Sequence, residues 1–341
     1  MYADLYGRHL YALLVSLIVT LLTTPLFIRW IVTKGTQPIR TDGPAGHHLT
    51  KSKTPTLGGC VFVTVGTSIG LWMGGHDKWT SILALSTLFN GCIGCIDDWL
   101  KITRGNHNGL PPSAKLAAQT ILSLGLLVWI YKVFPPTMRV VHIPFFMHYV
   151  VPIWGFVILG WWTMVGTANA TNLTDGLDGL LIGPSIVLCA VLSIVSYAMA
   201  QGNSPWICAT MAPPFTAISI FLCSMIGAFL GFLWFNGYPA SIMMGDCGSM
   251  AIGGLLSTTC IILRQEWILI LGGGLFVAEA LSVILQVYWF KRTGKRLFLM
   301  APLHHHFEHK GYAETKIVHR FWVIAVALGT LSLLIFYAQM K

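Results

Sequence analysis

The chain has 341 residues, 55% hydrophobic and only 10% charged, with a mean hydropathy of +0.70 and a formal net charge of +9. A soluble domain carries about 25% charged residues, so composition excludes one and points to an all-α, polytopic membrane protein with a single transmembrane domain over residues 1–341. The positive charge is not a nucleic-acid signal, because the basic residues cluster beside apolar runs, where they set topology and attract phosphate groups.

Ten spans are predicted, at about 10–32, 57–75, 79–96, 115–133, 151–168, 179–200, 213–235, 248–263, 267–290 and 319–339. The first is uncharged from Leu10 to Ile28, too long for the h-region of a signal peptide. No charge lies between Asp178 and Asp246; Gly202-Asn203-Ser204-Pro205 supplies a turn there, and Pro213-Pro214 fits only the first turn of the seventh span. Of the 21 Lys and Arg, 15 fall in or beside the connections that follow odd-numbered spans. Those five loops are therefore expected in the cytoplasm and both termini outside.

The acidic residues are the main functional signal. Five of the 12 Asp and Glu sit in three short motifs, Asp97-Asp98, Asp175-Gly-Leu-Asp178 and Gly245-Asp246, each at the edge of an apolar span and each on the cytoplasmic side by this count. Carboxylates beside hydrocarbon are costly unless they hold a metal or carry chemistry. Asp97-Asp98 is expected to close the third span, where a negative pair opposes the helix dipole and so implies function. Asn169 to Gly179 offers amide and carboxylate groups at short intervals, with Asp175 and Asp178 on one face if helical. Gly245-Asp246-Cys-Gly248-Ser249 opens the eighth span with free N–H groups and one carboxylate, suited to a metal–phosphate pair.

Three other features have competing readings. Lys51, Lys53, Thr54 and Thr56 lead to Gly58-Gly59 and suit either a diphosphate or lipid headgroups. The string His304-His305-His306-Phe307-Glu308-His309 contains a His-x-x-Glu-His zinc pattern, but histidine-rich strings produce that match easily, and imidazoles also bind phosphate. Glu279, about 18 Å inside the ninth span at 1.5 Å per residue, is either functional or a helix–helix hydrogen-bonding group. The eight Cys lie mostly within apolar runs; even Cys92-x-x-Cys95 lacks a matching second pair and reads as core packing.

Taken together, Pro55 to Gly59, Asp97-Asp98, Asn169 to Gly179, Gly245 to Ser249 and Met300-Ala-Pro-Leu-His-His-His-Phe-Glu308 closely resemble the bacterial phospho-N-acetylmuramoyl-pentapeptide transferases. The Asp-Asp and Asn-Leu-Thr-Asp elements are shared with the wider superfamily of polyprenyl-phosphate sugar-1-phosphate transferases. The resemblance implies a ten-span bundle, a homodimer, in the bacterial inner membrane with periplasmic termini and five cytoplasmic loops forming the active site. It implies transfer of phospho-N-acetylmuramoyl-pentapeptide from its UDP carrier to undecaprenyl phosphate, giving lipid I and UMP with Mg²⁺. By carry-over, Asp97, Asp98, Asp246, His304 and His305 are the catalytic candidates, with Asp246 and Asp98 as Mg²⁺ ligands. Lys53, Thr56, Lys101, Asn172, Asp175, Asp178, Asn236 and His306 are the substrate-binding candidates. The alternatives are an N-acetylhexosamine-1-phosphate transferase of the same superfamily, a secondary transporter with its carboxylates in the bundle, and a zinc membrane protease.

Overall fold

The first helix shows the solvent for which this fold is built. Leu10, Leu14, Ile18, Leu22 and Leu26, four residues apart, line the exposed face of α1 (Tyr2–Val32), while Ala12, Ser16, Thr20 and Thr24 lie on the face that is fully buried. Apolar groups outside and small polar groups inside suit a surface covered by lipid, where helices associate through close packing and hydrogen bonds rather than by burying apolar area. The partner of that buried face is α7 (Ala212–Asn236). Its Gly227 and Gly231 lie directly against the α1 backbone at Leu13 and Leu17, and Ser16 meets Ser224 at 2.7 Å.

The computed structural model describes residues 2–34, 54–105, 108–134, 140–141, 149–201 and 212–340. Lys51, Lys53, Cys208 and the turn expected at Gly202–Pro205 lie outside them. After α1 come α2 (Gly59–Gly74), α3 (Lys78–Arg104) and α4 (Pro112–Val133). A two-residue antiparallel ladder, β1 (Val140–Val141) on β2 (Tyr149–Val150), precedes α5 (Ile153–Thr174) and α6 (Ile182–Ala200). Beyond α7 the chain forms α8 (Gly245–Leu263), α9 (Glu266–Leu271), α10 (Gly274–Thr293), α11 (Leu303–His309) and α12 (Glu314–Gln339).

The protein is an all-α, polytopic membrane protein: eight of these helices, α1, α3, α4, α6, α7, α8, α10 and α12, are long and apolar enough to cross a bilayer. Each of the ten predicted spans is helical, with four differences. The third span does not end at 96; α3 runs on to Arg104, so Asp97 and Asp98 sit two turns inside it. The fifth continues to Thr174, its last turns carrying Asn169, Thr171 and Asn172. The ninth is broken at Gly272-Gly273 into α9 and α10. The long loop before the last span contains a helix, α11, that periodicity in so short a string does not reveal. The first turn of α7 holds Pro213 and Pro214, where their missing N–H groups cost nothing.

The centre of the bundle is α8, buried along nearly its whole length. Glycines let its neighbours come close: a Cβ on Gly253 would strike the α5 backbone at Ala168, and one on Gly254 would strike Ser86 and Asn90 of α3. Ser86 bridges the same crossing, donating to the Gly254 carbonyl at 3.1 Å and meeting the Thr258 hydroxyl at 2.7 Å. The N-terminus of this central helix carries Asp246.

Candidate active site

Asp246 is delivered by three close backbone approaches. Residues 55–59 run beside 243–244, with Met243 N–H donating to the Pro55 carbonyl at 2.8 Å and Gly58 and Gly59 donating to the Met243 and Met244 carbonyls at 3.0 and 2.9 Å. Gly245 has φ +72°, a left-handed conformation natural to glycine, and a Cβ there would meet the Thr56 hydroxyl and Asp98. Gly94 of α3 lies against the Asp246 carbonyl with no room for a Cβ. These contacts hold the first turn of α8 against the stretch of α3 that carries Asp97 and Asp98.

The result is one carboxylate cluster assembled from distant sequence. Asp97, Asp98 and Asp246 each present an oxygen within 4.8 Å of the others. Asp97 and Asp98 are buried, whereas 21% of the Asp246 side chain is exposed, so the cluster opens at Asp246. Lys101 stands among them, with Nζ 2.5 Å from Asp97 Oδ2, 3.2 Å from Asp246 Oδ2 and 3.4 Å from Asp98 Oδ1. Lys115, in the first turn of α4, reaches Asp246 Oδ2 at 2.8 Å. Asn172 Nδ2 donates to Asp246 Oδ1 and to Ser249 Oγ, both at 2.9 Å. Backbone N–H groups complete the shell: Leu110 donates to Asp97 Oδ1 at 2.7 Å and Cys247 to Asp98 Oδ2 at 3.2 Å.

Buried carboxylates cost several kcal/mol each unless compensated, roughly. Here two ammonium groups stand among three carboxyl groups, enough to balance two of them. A divalent cation would add positive charge and suit the place to a diphosphate. The donor set fits a hard cation, since all three residues offer carboxylate oxygen. The Thr56 hydroxyl, buried beside Gly245 and without a hydrogen-bond partner among the described residues, adds an oxygen to the same wall.

A second group forms where α11 docks on α10. Glu279 is fully buried and its carboxylate accepts from the Leu303 N–H at 2.7 Å and the His304 N–H at 3.2 Å, with Oε2 3.3 Å from His304 Nδ1. Two turns along, Gln286 Oε1 accepts from Leu297 and Phe298 N–H at 3.0 and 2.9 Å. Residues seven apart share a helix face, so 279 and 286 together hold 297–304 to α10. The His304 ring is buried against Gly176, where a Cβ would fall on it, and its Nε2 has no hydrogen-bond partner among the described residues. His305 packs on it with ring centroids 4.2 Å apart, and its Nδ1 lies 2.6 Å from Glu308 Oε2. His306 Nδ1 accepts from Leu299 N–H at 3.1 Å; partial burial, and after it the Lys310 ammonium, hold its imidazole below the ordinary range.

The structure thus brings Asp97, Asp98, Asp246, Lys101 and Asn172 into direct contact, with Thr56 adjoining. The stretch 172–176 links this cluster to His304, touching one through Asn172 and the other through Gly176. Asp175 and Asp178 do not share a helix face. Asp175 is the C-cap of α5, and Asp178 lies in the turn that follows, its N–H donating to Glu314 Oε1 at 2.8 Å and its Oδ2 accepting from Ala240 N–H at 2.9 Å. Asn236 donates to the Ile242 carbonyl at 3.0 Å and closes the turn before α8. Lys115, Ser249 and Glu314 were not singled out as site residues from the sequence. The zinc reading gains no support, since His305 and Glu308 bond each other and His309 Nε2 lies against Met300 Sδ at 3.3 Å. Among the described residues, neither group able to hold a metal contains a histidine.

The family model of glycosyl transferase family 4 matches residues 79–264, the span from the start of α3 to the end of α8 that contains the whole carboxylate cluster. Phospho-N-acetylmuramoyl-pentapeptide-transferase of Granulibacter bethesdensis is 42% identical over 330 residues, 94% of this chain and 91% of its own. The enzyme of the same name from Neisseria meningitidis is 42% identical over 335 residues, covering 96% and 92%. That of Gluconobacter oxydans is 39% identical over 330 residues, covering 94% and 90%.

Proposed function

Because this chain belongs to the phospho-N-acetylmuramoyl-pentapeptide transferase family, we propose that it transfers phospho-N-acetylmuramoyl-pentapeptide from UDP to undecaprenyl phosphate. An oxygen of the lipid phosphate forms a bond to the sugar-linked phosphorus. The bond from that phosphorus to the bridging oxygen breaks, and UMP leaves with it; the lipid product is lipid I. The reaction belongs to peptidoglycan synthesis. The protein acts as a homodimer in the bacterial inner membrane, with the site on the cytoplasmic side.

The observation that carries this reading is the cluster of Asp97, Asp98 and Asp246 threaded by Lys101 and Lys115. Phosphoryl transfer needs mainly positioning and charge stabilisation, and this cluster offers both signs of charge at one opening. Asp246 and Asp98 would hold Mg²⁺, which prefers one or two carboxylates plus phosphate oxygens. When bound it neutralises the diphosphate and favours departure of UMP. Lys115 and Lys101, now held by carboxylates, are placed to turn to phosphate oxygens. Asn172 orients Asp246 through Nδ2. A phosphate monoester has a second pKa of about 6, so the acceptor is largely dianionic at neutral pH. Asp97, occupied by Lys101 and the Leu110 N–H, then serves to place that acceptor more than to take a proton. Asn172, Asp175 and Asp178 would serve the nucleotide, with Asn236 nearby, and Lys53, Lys101, His304, His305 and His306 the phosphates or the sugar-peptide.

The transporter reading loses its main support here. Transporters place coupling groups near the midplane, whereas Glu279, the carboxylate the sequence placed deep in a span, is bonded to the loop helix α11. The test is purified protein with undecaprenyl phosphate and UDP-N-acetylmuramoyl-pentapeptide, with and without Mg²⁺, following UMP and lipid product. Mg²⁺-dependent formation of both is expected. Product only with UDP-N-acetylhexosamine donors would move the chain to the sister activity of the superfamily.

A further inference from the structure

A second cluster of metal-ligating side chains lies directly behind the carboxylates, and its chemistry is of the opposite kind. Cys60 follows the Gly59–Gly248 contact at the start of α2, Cys95 stands three residues before Asp98 on α3, and Cys247 follows Asp246 on α8. The Cys60 sulfur lies 3.5 Å from that of Cys247 and 3.8 Å from that of Cys95, and all three sulfurs fall within 4.8 Å of one another. Sulfurs arranged tetrahedrally around Zn²⁺ at a Zn–S distance of about 2.3 Å stand about 3.8 Å apart. Two of the three sulfur pairs, from three different helices, therefore already have the spacing of one metal's ligand shell, and the third, Cys95 with Cys247, lies within 4.8 Å. Cys60 and Cys95 are half-buried and Cys247 is buried.

We propose that Cys60, Cys95 and Cys247 form a three-sulfur site for a soft divalent cation of the Zn²⁺ and Cd²⁺ class, and that filling it slows the reaction at the adjoining carboxylates. Thiolate sulfur selects such ions over Mg²⁺, and the carboxylates select the reverse. On binding, the three thiols release their protons to solvent, three metal–sulfur bonds form, and a water completes the fourth position. The ion draws Cys95 and Cys247 toward a common centre. These residues belong to the same turns of α3 and α8 that carry Asp98 and Asp246, and the Cys247 N–H is itself a donor to Asp98. The packing at Gly94 and Gly59 leaves no slack to absorb the shift. The carboxylate geometry therefore changes when the sulfurs are metallated.

The experiment titrates the reduced, purified full-length protein with Cd²⁺ alone and follows the sulfur-to-cadmium charge-transfer absorption in the ultraviolet. That readout does not depend on the reaction proposed above. The wild type is expected to saturate at one equivalent, and Cys92→Ser, which alters an exposed thiol one turn away on α3, to behave alike. Cys60→Ser and Cys95→Ser should each lose the tight phase. In the transfer assay at fixed Mg²⁺, Cd²⁺ should inhibit the wild type at concentrations at least tenfold below those that inhibit Cys60→Ser. A wild type without the absorption band, or serine variants that titrate like it, would overturn the site. Equal inhibition of wild type and Cys60→Ser would overturn its link to the carboxylates.

Discussion

The carboxylate of Glu279 accepts from two successive N–H groups of α11, Leu303 at 2.7 Å and His304 at 3.2 Å, and lies 3.3 Å from the His304 ring. A buried acid in an apolar helix thus fixes the first turn of a seven-residue helix that could not stand alone. Glu279→Gln keeps the shape but puts amide donors where N–H groups already point. Leaving such a group unsatisfied costs about 1–3 kcal/mol, and a shift of about 1 Å in a positioned group can cost on the order of 100-fold in rate. The expected outcome is a 10- to 100-fold lower kcat, by the same estimate, with the protein still monodisperse and binding nucleotide. Steady-state kinetics beside a thermal melt check it, and wild-type turnover would remove Glu279 from the support of the site.

Lys115 and Lys101 share one oxygen of Asp246. Lys115→Met should lower kcat/KM by about 10- to 100-fold, the scale of a lost charge-assisted hydrogen bond of about 1.5–3 kcal/mol. Asp246→Asn should do more, since it strips a partner from both lysines and from the metal together. Groups that act as a unit are not additive, so Lys115→Met combined with Asp246→Asn should cost little beyond Asp246→Asn alone. The double-mutant cycle on UMP release decides it: full additivity would mean that Lys115 acts elsewhere.

Asp97 is the residue whose role pH can separate. A general base must be free to take a proton, and Asp97 is engaged by Lys101 and by the Leu110 N–H. If its task is placement, Asp97→Asn lowers the rate but leaves the acid limb of the kcat/KM profile where the lipid phosphate puts it, near pH 6 by the pKa of about 6 for a monoester. Measuring that profile from about pH 4 to 8, roughly two units on either side of the limb, tells the two apart. A limb that vanishes in Asp97→Asn would make Asp97 the base.

The sequence made the apolar spans and the three acidic motifs readable because both are local: a run of hydrocarbon and a carboxylate at its edge need no tertiary information. Asp97, Asp98 and Asp246 therefore stood out before their contact was known, and Asn172 with them. Lys115 did not, because one lysine at a span end looks the same whether it marks topology or reaches a partner 131 residues away. The three thiols were likewise hidden. Spacing along the chain offers only Cys92-x-x-Cys95, which reads as core packing, whereas helix packing pairs Cys60 with Cys95 and with Cys247. Glu279 was visible as an anomaly but not as a cap, since the helix it caps lies 24 residues on, in a loop.

The same packing argument gives a test that touches no ionisable group. A Cβ on Gly94 would strike the backbone of Asp246 and Cys247, and backbone cannot turn aside as a side-chain tip can. Gly94→Ala must push α8 from α3 and separate Asp246 from Asp98. Overpacking of this kind costs about 1–3 kcal/mol, and the displaced carboxylate should lower transfer by about 100-fold. Gly125→Ala on α4 is the control, because nothing lies within 4 Å of a Cβ there, and alanine favours a helix by up to about 1 kcal/mol over glycine. That variant should melt no lower than the wild type and turn over normally. Thermal denaturation in detergent, read beside UMP release, checks both. If Gly94→Ala kept full activity, the contact between α3 and α8 would not be what sets the carboxylate geometry.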